Sequence, residues 1–290
     1  MIAVTGATGA VGGRVARRLA AQGIAQRLVV RDPARAPELP GAEVRVASGY
    51  GAGEEMRAAL EGAGTLFLVP GEESSDRVRQ HTTAVDAAVA AGVGRIVYLS
   101  FLAAAPDATF TLVRDHWATE EHIRAAGVPF SFPRMNLYLD FVPGMVGPDG
   151  VLAGPAGDGR AAVVTRDDVA DVVTALLTGA EEETCDVTGG EALSLADIAA
   201  QLSALSGKPI AYHDETLAEA RASRASYGAP DWQVEAWIST YTAIAAGELA
   251  TVSDTVARLA GHAPQTLAEY VRAHPDCLDH VGSGIRPAVD

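Results

Sequence analysis

Three glycines, Gly6, Gly9 and Gly12, follow the short apolar run Met1-Ile2-Ala3-Val4 and Thr5. At that spacing each has a physical job. Gly6 permits a sharp turn off a strand, Gly9 lets backbone approach a pyrophosphate with no Cβ in the way, and Gly12 lets the following helix pack closely on the strand. Val11, Val15 and Leu19 continue at helical spacing. The order is therefore strand, tight turn, helix, the context in which such glycines bind a dinucleotide. Amides at the helix start then face the phosphates, helped by the helix dipole. Gly6, Thr8, Gly9, Ala10, Val11 and Gly12 are the expected contacts on the phosphate side.

The type of nucleotide is read at the end of the second strand. In NAD enzymes an acidic residue there, about 20 residues past the glycines, holds the ribose hydroxyls. Here Leu28-Val29-Val30 ends in Arg31, with Arg35 a turn later. A guanidinium suits a 2′-phosphate by its charge and its bidentate fork, so NADPH is the expected cofactor. Two alternatives stand beside this: Arg31 as a plain solvated strand end, or Asp32 aimed at the ribose, which would favour NADH. Asp32-Pro33 also reads as the cap and first residue of a short helix. Val69 and Pro70, and further on Ser100, lie at later strand ends and complete the expected cofactor contacts, since ligands of open α/β sheets sit outside the carboxyl ends of the strands.

The elements that must position these residues alternate. Strand-like runs at 2–5, 27–31, 43–47, 65–69, 95–100 and 129–133 interleave with helical patterns near 11–22, 53–62, 76–91 and 112–126. That rhythm predicts an α/β fold, a Rossmann-type doubly wound parallel sheet over residues 1–133. Beyond it, proline and glycine punctuate 143–159. Helices are predicted at 167–177, 195–205 behind a Ser194 cap, 215–226, 231–247, 251–260 and 264–273, with strands at 184–188 and 209–213. Residues 134–281 thus read as a smaller, mostly helical substrate region with later crossings back to the sheet, and 282–290 as a frayed tail. Arg166-Asp167-Asp168 reads as a helix start, where acids favour the dipole.

Composition narrows the function. The net charge of −15 argues against nonspecific nucleic-acid binding, which depends on basic side chains. No apolar run is long enough to span a bilayer, and a strand starting at residue 2 leaves no room for a signal peptide in this sequence. Two cysteines, Cys185 and Cys277, make no disulfide framework, and neither they nor the histidines His81, His122 and His213 have metal-ligand spacing. The expectation is a cytoplasmic protein without a metal, a monomer or homodimer. Lys208 is the only lysine.

The segment Thr5-Gly6-Ala7-Thr8-Gly9-Ala10-Val11-Gly12 resembles the opening of the NmrA-like atypical short-chain dehydrogenases. The resemblance extends to Val29-Val30-Arg31-Asp32-Pro33-Ala34-Arg35-Ala36, to Ala90 through Ser100, to the stretch from His116 into Gly127-Val128-Pro129-Phe130-Ser131-Phe132, and to Val164 through Ala170. Together these resemble the branch of triphenylmethane reductases and type 2 NADPH:quinone oxidoreductases. The resemblance implies an NAD(P)H-dependent oxidoreductase. Classical short-chain dehydrogenases pass a proton with a Tyr-x-x-x-Lys pair; this chain lacks it, because position 204, four before Lys208, is Ala204. Related isoflavone reductases use a lysine about eleven residues before a Gly-Ile-Pro-like turn, and counting back from Gly127-Val128-Pro129 reaches His116. His116 is therefore the candidate catalytic residue, as a proton relay or a nicotinamide-ribose contact, against the reading of a partly buried histidine at a helix start.

A missing acid matters less when the acceptor is cationic or quinonoid, because hydride adds directly and a reduced quinone takes protons from water. Catalysis is then mostly orientation. The expected acceptor pocket draws on Phe101 after strand five, on Met135, Asn136, Tyr138 and Phe141 after strand six, and on Trp232, Trp237 and Tyr241 from a helical lid. Core packing is the alternative for each aromatic. Pro133-Arg134-Met135 stands where family members commonly read Leu-Arg-Asn. The sequence therefore points to hydride transfer from NADPH to a flat apolar acceptor (a quinone, a cationic aromatic or a conjugated metabolite). The alternative is a non-catalytic NAD(P)-binding sensor of NmrA type.

Overall fold

A computed structural model describes residues 1–179 and 184–283. β1 (Ile2–Thr5), β2 (Gln26–Val30), β3 (Ala42–Val46), β4 (Thr65–Leu68), β5 (Arg95–Tyr98), β6 (Ser100–Phe101), β7 (Phe130–Met135) and β10 (Thr184–Val187) form one sheet. Its order is β10-β7-β5-β4-β1-β2-β3, with β6 beside β7 and every pairing parallel. The strand order reverses at β1 and β4, and this switch point opens the crevice in which doubly wound sheets take ligands.

Alternation along the central strands builds two cores. Val4, Leu28, Phe67 and Val97 face one side, against α1 (Ala10–Ala21) and α5 (Arg166–Thr178). Ala3, Val29, Leu66 and Ile96 face the other, against α2 (Gly53–Leu60), α3 (Arg77–Ala90) and Ile123 of α4 (Thr111–Ala125). Strands buried on both faces explain why these runs read as continuously apolar.

The predicted elements of residues 1–133 form within a few residues of their expected ends, and the sheet runs on to Met135 before β10 adds its edge strand. After β7 the chain forms β8 (Val151–Gly154), β9 (Arg160–Ala161), β11 (Leu193–Ser194), α6 (Leu195–Ser206), β12 (Ala211–Asp214), α7 (Leu217–Arg224), α8 (Asp231–Ala245) and α9 (Leu267–Ala273). The short strands pair as β11 with β9 and β12 with β8. The helix expected at 251–260 is reduced to a π-helical turn, Val256–Ala260. Of the expected frayed tail, Gly282 donates to Pro148 O at 2.7 Å and Ser283 to His280 O at 3.1 Å; residues 284–290 lie outside the described residues. Among the described residues no helix is long and apolar enough to cross a membrane. Lys208 spends its ammonium on the carbonyls of Leu278 and Val281, at 2.6 and 3.1 Å.

Candidate active site

The glycine turn closes as its residue types require. Gly6 sits at φ +62°, and Gly9 donates to Gly6 O at 2.9 Å. A Cβ on Gly12 would lie 2.8 Å from Thr5 O and 2.6 Å from the Gly6 carbonyl carbon. Thr8, Gly9 and Ala10 are exposed, and Gly9 caps α1 without a side-chain hydrogen bond. The first amides of α1 are thus open toward the crevice, while Val11 and Gly12 are buried beneath it.

The facing wall is the segment after β4. Val69 packs over Gly6, its Cβ 3.0 Å from where a Gly6 Cβ would stand. Thr5 Oγ1 donates to Phe67 O at 3.1 Å and accepts from Val69 N at 2.9 Å. Tyr50, which follows β3, lays its hydroxyl 2.8 Å from Thr5 Oγ1 and 2.5 Å from Val69 O. Burial pushes this phenol up to about 12, so it stays protonated. Tyr50 therefore ties the two sides of the switch point together.

Arg31 stands at the end of β2 with its side chain 65% exposed, 2.7 Å from Glu72 of the loop after β4. Arg35 is exposed one turn on. Asp32 does not face the ribose position: its carboxylate accepts from Ala34 N at 2.9 Å and caps the turn Pro33–Arg35.

Below the Pro70-Gly71 bend lies a buried chain of polar side chains. Gly71 N donates to His81 Nε2 at 2.8 Å. The His81 proton is then on Nδ1, which lies 2.9 Å from Thr119 Oγ1, and Thr119 passes its own to Asp115 O at 2.8 Å. Arg77 Nε donates to Gly71 O at 3.0 Å, and its Nη2 lies 3.3 Å from His116 Nε2. A guanidinium only donates, so His116 Nε2 accepts and Nδ1–H meets the Tyr98 hydroxyl at 3.0 Å.

These contacts hold His116, expected as a proton relay or a nicotinamide-ribose contact, between Arg77 and Tyr98. The ring is 4% exposed, and burial followed by the Arg77 charge holds its pKa well below the usual histidine value. A second ring proton would have to point at a guanidinium. The same reasoning applies to His81, lowered to about 3 by burial and then Arg77. Tyr98 is fully buried and shifted upward by burial. His116 is held in the wall beside Phe101, the two rings tilted by 40° with centroids 6.0 Å apart.

Two further expected contacts are committed elsewhere. The Ser100 hydroxyl is buried and donates to Glu120 Oε1 at 2.6 Å, within an ion cluster that also holds Arg134 (2.6 Å) and Arg124 (3.0 Å). Any cofactor contact there belongs to its backbone. Asn136 is likewise buried, its amide donating to Leu249 O at 2.9 Å and its carbonyl accepting from Leu137 N at 2.8 Å. An already satisfied amide pair is not a free substrate contact.

The expected aromatic lining is split. Phe101 pairs with Met135 across the β6–β7 ladder and meets Phe110 edge to face at 5.4 Å. Trp237 reaches over from α8, its indole N–H donating to Glu73 at 3.1 Å, and Gln233 donates to the same oxygen at 2.8 Å. This joins the helical region to the loop after β4. Tyr138 and Phe141 instead flank the Arg166 guanidinium at 5.1 and 4.2 Å, near Arg14 of α1. Tyr241 packs against Gly154 and under Arg224 (5.0 Å), and Trp232 is 40% exposed. Spacing alone placed Trp237 and Tyr241 on one face; in the structure they serve different neighbours.

Over residues 1–257 the sequence matches the NmrA-like family. The chain belongs to that family. A Streptomyces griseus (4-alkanoyl-5-oxo-2,5-dihydrofuran-3-yl)methyl phosphate reductase is 36% identical to this NmrA-like chain, covering 96% of it and 99% of the relative. The crystal structure of an Escherichia coli NADPH-dependent quinone oxidoreductase in complex with NADPH matches with a TM-score of 0.87 at 32% identity, covering 94% of this chain and 99% of that one. The Citrobacter sp. triphenylmethane reductase complexed with NADP(H) matches at 0.85 with 29% identity, covering 94% and 99%. These relatives are reductases, and this chain is an oxidoreductase of the same Rossmann-type fold.

Proposed function

We propose that this chain delivers hydride from NADPH to a flat, conjugated, apolar acceptor such as a quinone or a cationic aromatic. The dinucleotide lies across the β1–β4 switch point, its pyrophosphate on the first turn of α1 and its 2′-phosphate on Arg31, with Arg35 one turn on. Bound NADPH supplies the hydride; the chain orients it and excludes water. The nicotinamide end faces Phe101, Met135 and Phe110, with Trp237 closing from α8.

One observation carries the choice of acceptor. His116 and Tyr98 are buried and bonded to each other, His116 also meets Arg77, and the buried Ser100 hydroxyl is bonded to Glu120. With these groups engaged, an acceptor that must be protonated as hydride arrives is a poor substrate. One that is already cationic, or is protonated afterward by solvent, is a good one. The relatives' quinone and triphenylmethane activities support this reading. A chain with only two cysteines, Cys185 and Cys277, suits a reduced cytoplasmic setting, and we place the protein there, as a monomer or homodimer.

The test is NADPH consumption, followed by absorbance, with a quinone, a triarylmethane dye and a simple aliphatic ketone. Turnover of the first two without the third is expected. NADPH binding with no consumption of any acceptor would overturn the reading in favour of a sensor.

A further inference from the structure

We infer that His81 and Arg77 are positioning residues of the cofactor site, acting through the Gly71 peptide. The inference rests on the placement of the dinucleotide at the β1–β4 crevice proposed above. Both backbone polar groups of Gly71 are taken by buried side chains of α3: the N–H by His81 Nε2 at 2.8 Å, the C=O by Arg77 Nε at 3.0 Å. Arg77 is 7% exposed and His81 fully buried. Neither can swing to solvent, and each is held from behind, His81 by Thr119 and Arg77 by His116, with Asp115 at 3.6 Å.

The N–H belongs to the Pro70–Gly71 peptide and the C=O to the Gly71–Glu72 peptide, so gripping both fixes the Gly71 backbone torsions between the two planes. Those torsions set where the preceding Val69-Pro70 segment lies against Gly6 across the crevice. The bend is packed from both sides: a Cβ on Gly71 would touch His81 Nε2 and Tyr50 Cδ2, both at 3.4 Å. The tautomer matters as well. Only a neutral His81 with its proton on Nδ1 can accept from Gly71 N, and burial beside Arg77 keeps the ring neutral across the physiological range.

Without the grip, the bend samples other conformers and the dinucleotide must select the competent one. Apparent affinity then falls by the competent fraction. His81→Leu is expected to raise the Kd and KM for NADPH about tenfold, since a buried amide loses its acceptor. The kcat at saturating NADPH and the KM for the acceptor should stay near wild type. His81→Gln, whose side-chain oxygen can accept from Gly71 N, should restore most of the affinity. Arg77→Met should weaken NADPH in the same sense.

Melting temperatures on all variants separate this role from a merely structural one. A lowered Tm in His81→Leu with unchanged NADPH affinity would overturn the proposal, as would failure of His81→Gln to outperform His81→Leu. Gly9→Val separates it from the reading beneath it. If Gly9→Val folds and still binds NADPH normally, the crevice is not the cofactor site and both fall. If it abolishes binding while His81→Leu does not weaken it, only the positioning role falls.

Discussion

Arg31→Ala tests the cofactor reading where the structure allows a magnitude to be worked. The guanidinium is 65% exposed and its partner Glu72 79% exposed, 2.7 Å away. An exposed pair of this kind contributes roughly 0–1 kcal/mol. A 2′-phosphate that takes the place of Glu72 gains charge-assisted hydrogen bonds of about 1.5–3 kcal/mol. The difference leaves about 1–2 kcal/mol, or roughly a five- to thirtyfold rise in the NADPH Kd on removing the side chain. NADH has no phosphate at that position, so its Kd should hardly move. The companion change Glu72→Gln removes a tethered anion that competes with the phosphate, and should tighten NADPH up to about fivefold while sparing NADH. Fluorescence titration of both nucleotides decides it, repeated at higher salt, where the Arg31 effect should shrink through screening. Equal weakening of NADPH and NADH in Arg31→Ala would refute the assignment of Arg31 to the 2′-phosphate.

Other expectations follow from the same contacts. His81 and His116 are held neutral with pKa values below 6.5, so the folded state binds fewer protons than the unfolded one in mild acid. Their stabilisation is present above the unfolded value near 6.5 and is lost progressively as pH falls below it, by about 1 kcal/mol each per pH unit. Urea midpoints above and below that value should show this, and replacing both histidines with uncharged residues should flatten the drop; an unchanged drop would contradict the neutral assignment. Gly12→Val drives a side chain into the Gly6 and Thr5 carbonyls, costing about 1–3 kcal/mol from overpacking and lowering Tm by roughly 2–4 °C per kcal/mol; NADPH binding should be lost with it. A Gly12→Val protein that melts and binds as wild type would show that the strand-turn-helix contact is looser than described. Trp237→Ala removes the ring proposed to close over the acceptor and its bond to Glu73, and should raise the KM for the acceptor about tenfold with little change for NADPH. The kcat of the wild type should show no His116-dependent step between about pH 6 and 8, and a sigmoid abolished by His116→Gln would restore that residue as an acid.

Local chemistry determined the first half of this protein. The glycine turn works through backbone geometry within seven residues, and that requirement is written into Gly6, Gly9 and Gly12 themselves. Strand and helix alternation followed from hydrophobic period, and the Asp32-Pro33 cap from the residue pair alone. The absence of a Tyr-x-x-x-Lys pair needed only a count of lysines. The registers of the sheet matter little to such arguments, because each motif carries its own short-range partner.

Tertiary structure decided what the polar residues at the site are free to do. His116 and Ser100 have the right types at the right strand and helix ends, but Arg77 and Tyr98 take one and Glu120 the other, from elements 18 to 39 residues away. Asn136 is satisfied by Leu249, 113 residues on. Burial and hydrogen-bond satisfaction depend on every neighbour that packs in, and none of those neighbours is visible from one segment. A faint signal existed for the clasp on Gly71: Arg77 and His81, four residues apart, open the stripe that continues with Ala84, Val85 and Ala88 on the buried face of α3. Helical period placed them inward; only the fold showed that a backbone bend lay in reach. The aromatic lining divided for the same reason, since a shared helical face does not say which neighbour each ring will meet.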